Sequence, residues 1–340
     1  MRKLYFLFFL TFLPLVVSAQ DVEIDGIYYN LNSSGDTKTA EVTQNPNRYS
    51  GDIVIPETVT YNDVTYSVTS IGNSAFLGCS GLTSVTIPNS VTSIGNSAFL
   101  SCSGLTSVTI PNSVTSIGLS PFSGCSGLTS IVVEDGNTVY DSRDNSNAII
   151  ETSTNTLIAG CKKSIIPNSV ISIGNSAFHG CRGLTSITIP KNVTSIDYRA
   201  FGSNMLVSLI VESENPVYDS RDNCNAIIET RTNTLITGCQ NTKIPNSVAH
   251  IGNSAFNNCN GLKTLIIPEG VKTIGSSAFS SCFGLEGVEL PSSLTNIGYA
   301  AFRHCTKMKT VISHITNPGG VLSSDDVFDS SSPDFVDASP

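Results

Sequence analysis

The sequence predicts an α/β repeat solenoid, and three observations carry the prediction. A unit of 23 residues, clearest as Ile94–Ser116, recurs almost to the end of the chain. Its phenylalanine falls at Phe76, Phe99 and Phe122, then Phe178 and Phe201, then Phe256, Phe279 and Phe302, each neighbour within a group 23 residues from the last. Inside the unit an apolar strand pattern is punctuated by Pro and Gly at constant offsets. A fixed period in this range means coils that stack, because one coil cannot bury its own apolar face.

In chain order, Met1-Arg2-Lys3, an apolar run to Val17 and the small residues Ser18 and Ala19 have the three regions of a secretory signal, read as residues 1–19 with cleavage before Gln20. Its 14 or so apolar residues fall short of the roughly 20 that span a membrane, and no other segment is long enough. Residues 20–70 differ from the repeats and are read as a β-rich N-terminal cap, since an open solenoid end would expose unpaired strand edges. Asp25-Gly26 between Val22-Glu23-Ile24 and Ile27-Tyr28-Tyr29 is a hairpin signal. Glu41-Val42-Thr43, Ile53-Val54-Ile55 and Val64-Thr65-Tyr66-Ser67-Val68 are further strand candidates.

The solenoid proper is assigned to residues 71–312. Leu105-x-x-Val108-x-Ile110 has the spacing of a leucine-rich repeat strand, with Val108 and Ile110 inward and Thr109 outward. Pro111 closes the strand for want of an N–H. Val114 and Ile117 return apolar side chains across the coil, and Gly118 is read as a turn with positive φ. Asp197 at the equivalent place in the Phe201 unit fits that reading, as Asp tolerates the left-handed region. Ser97-Ala98-Phe99-Leu100 is expected to make one short helical turn.

Two intervals, Phe122 to Phe178 and Phe201 to Phe256, are 56 and 55 residues long and hold the same extra material. These cassettes lie near residues 134–166 and 212–244. In each, a hairpin is expected between Ala148-Ile149-Ile150 and Thr156-Leu157-Ile158, or their copies. Residues 313–340 read as an irregular tail, either a frayed cap or a chain cut short, in which Phe328 would be a last unit phenylalanine.

Ile-Gly-Asn-Ser-Ala-Phe, then Cys, then Leu-Thr-Ser-Val-Thr-Ile-Pro-Asn-Ser-Val-Thr-Ser-Ile-Gly resembles the BspA-like leucine-rich repeat family of exported Bacteroidetes proteins, over roughly residues 20–312. The resemblance implies a right-handed solenoid with a curved parallel sheet, placed at the cell surface or released. It also implies adhesion to proteins such as those of the host matrix. Many surface members carry further domains or a C-terminal sorting segment, and neither is evident after Ile312.

Composition narrows the function. Only 13% of residues are charged, Trp is absent and the net charge is −9, with no basic stripe to meet nucleic-acid phosphates. Seven of ten cysteines sit three residues after a unit phenylalanine, so a column of buried thiols explains them, with disulfides between stacked coils as the alternative. Asp141, Asp144, Asn145 and Asn147, with Asp219, Asp222, Asn223 and Asn225, offer oxygens that calcium accepts, but they match no known loop and suit turns equally. The four histidines form no zinc signature and no nucleophile elbow accompanies the serines, so neither metal, cofactor nor catalysis is expected.

What remains is surface. Outward strand positions give Thr83, Ser84 and Thr86; Thr106, Ser107 and Thr109; Thr129 and Ser130; Thr185, Ser186 and Thr188; and toward the C-terminus Lys263, Glu286 and Glu289. These are the candidate binding residues, for a host or bacterial surface protein, with a glycan or no specific ligand as alternatives; Thr also simply suits an exposed strand. The protein is expected to be monomeric, and secreted or at the outer surface of a Gram-negative bacterium.

Overall fold

The computed structural model describes residues 21–34, 37–197, 199–203, 205–316, 327–328 and 333–338; the expected signal segment lies outside them. The chain is a strand-rich leucine-rich repeat solenoid with almost no helix, its only helical elements among the described residues being 3-10 turns at Arg143–Asn145 and Arg221–Asn223.

Each coil bonds to its neighbours along three lines. The long strands form one: Ser130–Val133 pairs in parallel with Ser107–Ile110, with Ile131 opposite Val108. A second runs through two-residue strands, Ser116–Ile117 on Ser93–Ile94 on Ser70-Ile71. The third uses the phenylalanine turn itself. Ser97, Phe99 and Ser101 donate their amides to Leu119, Pro121 and Ser123 carbonyls of the next coil at 2.9, 2.9 and 2.8 Å, while Leu100 and Cys102 bond back to Ser97 and Phe99.

That alternation explains why the expected helical turn is absent. Ser97 at φ 53° and Ser101 at φ 63° reverse the chain, and amides aimed at the next coil cannot close i→i−4 bonds. The glycine reading also changes. Ser74, Ser97, Ser120, Ser176, Ser254 and Ser277 adopt positive φ, whereas Gly118 does not. Gly118 is required by proximity: a Cβ there would lie 2.5 Å from the Asn96 nitrogen, and at Gly95, Gly275 and Gly298 the clash is equally close. Asp197 is not in the left-handed region either. Its side chain is exposed and borders a surface cavity instead of pressing on the preceding coil.

The core is a set of columns. Phe76, Phe99 and Phe122 stack with centroids 4.9 and 5.1 Å apart, and so do Phe178 with Phe201 and Phe256 with Phe279 and Phe302. Near-parallel rings at this spacing are offset-stacked, adding about 0.5–1.5 kcal/mol per pair to their burial. Tyr49 extends the column at one end, its ring 4.6 Å from Phe76, and Phe328 at the other, 5.2 Å from Phe302. Within 313–340, Asp334–Asp337 pairs in parallel with Thr310–Ser313, so this stretch continues the long-strand line.

Residues 21–71 hold the strands expected there. Val22–Ile24 and Ile27–Asn32 form a hairpin over Asp25 and Gly26, both at positive φ. Gly51–Val54 joins Leu82–Thr86 on the long-strand line, and Val64–Ile71 leads into the short one.

Each cassette forms the expected hairpin, Ala148–Glu151 with Thr156–Gly160 and Ala226–Glu229 with Thr234–Gly238. Its second arm pairs in parallel with the next short strand, so each hairpin opens a new short-strand sheet, separate from the one that ends at Ser116–Ile117 or Ser195–Ile196. The aromatic column breaks as well: Gly160 and Gly238 lie where a ring would stack, and a Cβ on them would sit 2.2 and 2.1 Å from Phe178 and Phe256. The buried apolar residues accordingly fall into three clusters divided at the cassettes. Asn137 and Asn215 start the cassettes, each donating Nδ2 to two carbonyls of the preceding coil and accepting two amides at Oδ1.

Two expectations follow. Gly160→Ala should cost about 3 kcal/mol or more by overpacking against Phe178, with Phe178→Leu recovering part of the loss in urea melts. Ser146 is wholly buried with no partner for Oγ, and its copy is Cys224. An unsatisfied buried hydroxyl costs about 1–3 kcal/mol, so Ser146→Cys should raise the urea midpoint.

Candidate binding surface

Alternation along the long strands buries Val85, Val108, Ile131, Ile187 and Leu209 and turns the residues between them outward. Thr86, Thr106, Ser107, Thr109, Thr185, Ser186 and Thr188 are exposed, as are Lys263 and Glu286; Thr129, Ser130 and Glu289 are half-buried. Register brings some of these together: Ser107 lies opposite Ser130, and Thr109 opposite Val132. Others are kept apart. The long strands form separate ladders, Gly51–Val54 with Leu82–Thr86, Ser107–Ile110 with Ser130–Val133, Ser186–Ile189 with Ser208–Val211, and a four-stranded group from Thr264–Ile266 onward. The cassettes fall in sequence at two of these breaks, so the expected single hydroxyl-lined sheet is divided.

Part of that polarity is spent within the protein. Thr83 and Ser84 donate to Asp52 Oδ1 at 2.7 and 2.6 Å, and these bonds, Ser84's foremost, hold the Asp52 carboxyl below its usual range. Thr129 donates along the coils to the Thr106 carbonyl at 3.0 Å. Glu289 is paired with His314 at 2.8 Å. The Lys263 and Glu286 carbonyls accept the Glu286 and Lys309 amides, placing the two side chains in one outward row.

The sequence reading passed over the apolar members of the outward face. Val132 occupies the outward place of Thr109, and Ile210 that of Thr188. Val132 is 44% exposed, Ile210 49%, Ile266 71% and Val54 67%. The signal was available: each is the middle residue of a strand triplet whose two flanks must face inward. In Ile131-Val132-Val133 all three residues are apolar, which hides the alternation.

The cysteines are reduced and buried. Cys102, Cys125, Cys282 and Cys305 donate Sγ to the phenylalanine carbonyl one coil back, at 3.0 to 3.2 Å. That contact gives the column a chemical reason beyond size. Burial pushes the Cys181, Cys259 and Cys305 thiols up to about 12, so the nucleophilic thiolate is suppressed.

Among the described residues no group of three or more His, Cys, Asp or Glu is placed to hold a metal ion. Asp141 and Asp219 are instead gripped by Arg143 and Arg221 at 2.6 Å. Asp144, Asn145 and Asn147, like Asp222, Asn223 and Asn225, adopt positive φ and serve the turn.

Stacked parallel strands, a buried leucine and phenylalanine column and an exposed strand face define a leucine-rich repeat protein. The family model for the BspA type leucine rich repeat region matches in six copies, over residues 57–156, 148–227 and 235–320, and the chain belongs to that family. Among solved structures it is similar to a leucine rich cell surface protein of Faecalibacterium prausnitzii A2-165, at 22% identity over 93% of this chain and 99% of that one, TM-score 0.44. It is also similar to the pneumococcal vaccine antigen PcpA, at 18% identity over 87% and 82%, TM-score 0.49. A leucine-rich repeat protein of Bacteroides ovatus ATCC 8483 aligns at 24% identity over 94% and 100%, TM-score 0.35. No curated protein matches the chain. No helix among the described residues is long and apolar enough to cross a membrane.

The thiols and the ion pair give two tests. The cysteines should resist a thiol reagent at pH 8 in the native protein and all ten should react in denaturant. The Glu289 hydrogen bond raises the His314 pKa above its usual value. The pair's contribution is therefore complete below the unfolded value, about 6.5, and is lost as pH rises through the higher folded value. An NMR titration of Glu289→Gln should return His314 toward the ordinary value.

Proposed function

We propose that this protein is exported and acts at the cell surface or in its surroundings as a binding protein, holding a host matrix or bacterial surface protein on the outward face of its long strands. The observation that carries the reading is the set of outward pairs Val54 opposite Thr86, Val132 opposite Thr109 and Ile210 opposite Thr188, with Ile266 farther along. In each pair an exposed β-branched apolar residue stands beside a hydroxyl on a backbone fixed by coil stacking. A monomer in water gains nothing from an isoleucine 71% exposed at Ile266, whereas a protein partner would bury it, at about 25 cal/mol per Å² of apolar area.

The candidate surface residues fit this reading unequally. Ser107, Thr109, Ser186 and Thr188 present exposed hydroxyls beside the apolar row, and Lys263 with Glu286 would add charge at its far end. In the same reading the coil is right-handed with a curved sheet, residues 20–70 cap one end, residues 1–19 direct export, and the chain is monomeric and non-catalytic. Solenoids bind through such extended faces because stacking leaves one side of every coil free.

The test is surface plasmon resonance of residues 20–340 against immobilised matrix proteins and whole bacterial surface extract, beside a glycan array. Binding to a protein is expected, with Val132→Lys, Ile210→Lys and Ile266→Lys each weakening it by about tenfold or more. A glycan-only response, no response, or unchanged binding by all three variants would overturn the proposal.

A further inference from the structure

At the C-terminal end of the long-strand line, Gly287–Leu290, Thr310–Ser313 and Asp334–Asp337 lie side by side in that order. Asp334–Asp337 ends the sheet, so ladder bonds hold it on one side only. Two amides bracket it: Asp334 donates to the Lys309 carbonyl at 2.7 Å and Ala338 to the Ser313 carbonyl at 2.8 Å. Asp334 and Val336 are exposed.

His314 adds an attachment that reaches both ways. It follows the middle strand, and its Nδ1 is 3.1 Å from the Ala338 carbonyl while its Nε2 is 2.8 Å from Glu289 Oε1. Both partners are acceptors. A neutral imidazole carries one N–H and one lone pair, so in that form one nitrogen would face an oxygen lone pair to lone pair. Only the imidazolium donates to both.

The surrounding charges favour that form. His314 borders a cleft with Ile266, Pro268, Glu269, Glu289, Ser292 and Ala338, where the other charged groups are the two carboxylates. Lys263, Glu286 and Lys309 precede their parallel strands, at the end away from His314. Register brings the Asp334 and Asp337 positions opposite Thr310 and Ser313. The Glu289 bond foremost, and the Ala338 carbonyl with it, raise the His314 pKa above its ordinary value.

We propose that His314 is a proton-operated clasp: as imidazolium it ties Ala338 to Glu289 across the end of Thr310–Ser313, and on losing its proton it releases the Asp334–Ala338 segment and bares that strand's outer edge. Glu289 is beside the ring whether or not the segment is docked, so it sets the pH at which the proton leaves. The Ala338 carbonyl is there only in the docked state, so it couples the proton to docking. Proton binding is therefore tighter in the docked state. The clasp is complete below the released state's pKa and is lost as pH rises through the docked state's higher one.

The test is hydrogen–deuterium exchange at the Asp334 and Ala338 amides of residues 20–340, from about pH 5.5 to about pH 8.5, either side of the ordinary histidine value. Exchange is expressed as protection over the unstructured rate at each pH, beside an NMR titration of the His314 ring. Protection should fall by about tenfold or more, as a tenfold difference in proton affinity between docked and released states requires. Its midpoint should match the ring titration, while protection of Val108 stays level. In Glu289→Gln both midpoints should move together to lower pH. In His314→Gln the two amides should be weakly protected at every pH, with Val108 still protected. A level profile in the wild-type protein, a pH dependence that survives in His314→Gln, or a protection midpoint that stays in place in Glu289→Gln while the ring titration moves would overturn the proposal.

Discussion

The contact on which the rest of this structure depends is the bonding of one phenylalanine turn to the next. Phe99 gives its amide to Pro121 of the following coil while its ring lies on Phe122, 5.1 Å away. Adjacent strands pair about 4.7–4.9 Å apart, so rings, long strands and short strands all advance by nearly the same step. A coil can hold three hydrogen-bonded lines only if each permits that step. At Gly95, Gly118, Gly275 and Gly298 there is no room for a side chain. At the cysteine column a small group with a weak donor reaches the carbonyl one coil back. Positive φ at the unit serines turns alternate amides along the stack. Most residues of the 23-residue unit are thus committed to stacking.

The cassettes show what happens when the step is relaxed. Their hairpins open a new short-strand sheet on the far side of each insertion, the aromatic column is interrupted by Gly160 and Gly238, and the long-strand ladders end on either side. Core burial continues as three abutting clusters. Positions released from stacking are where side chains vary: Val132 and Ile210 point outward just before each insertion, and the second junction exchanges His179 for Asn257 and Gly118 for Asp197. Side-chain variation is therefore concentrated at the outward strand positions and at the junctions, where a substitution does not disturb every coil.

Much of this was legible in the sequence because it depends on period. The phenylalanine column, the inward Val108 and Ile110, the Asp25-Gly26 hairpin and the cassette hairpins follow from spacing and turn chemistry. The rest depends on contacts between coils, which spacing within one coil does not show. Gly118 looks like a turn glycine until Asn96 is seen pressed against it. Ser97-Ala98-Phe99-Leu100 looks helical until its amides are found bonded to the next coil. Thr83 and Ser84 look free to meet a ligand until Asp52 takes both. Val132 and Ile210 were hidden because an outward apolar residue between two inward ones reads as continuous core.

The account rests on turns behaving as a third ladder, and native-state hydrogen exchange at the Phe99, Ser101, Phe256 and Phe279 amides tests it most directly. Their carbonyl partners in the next coil are 2.7 to 2.9 Å away, so these amides should exchange as slowly as that of Val108 in a long strand, with opening free energies approaching that of global unfolding. Exchange as fast as at the exposed cassette turn around Thr154, with the long strands still protected, would contradict it.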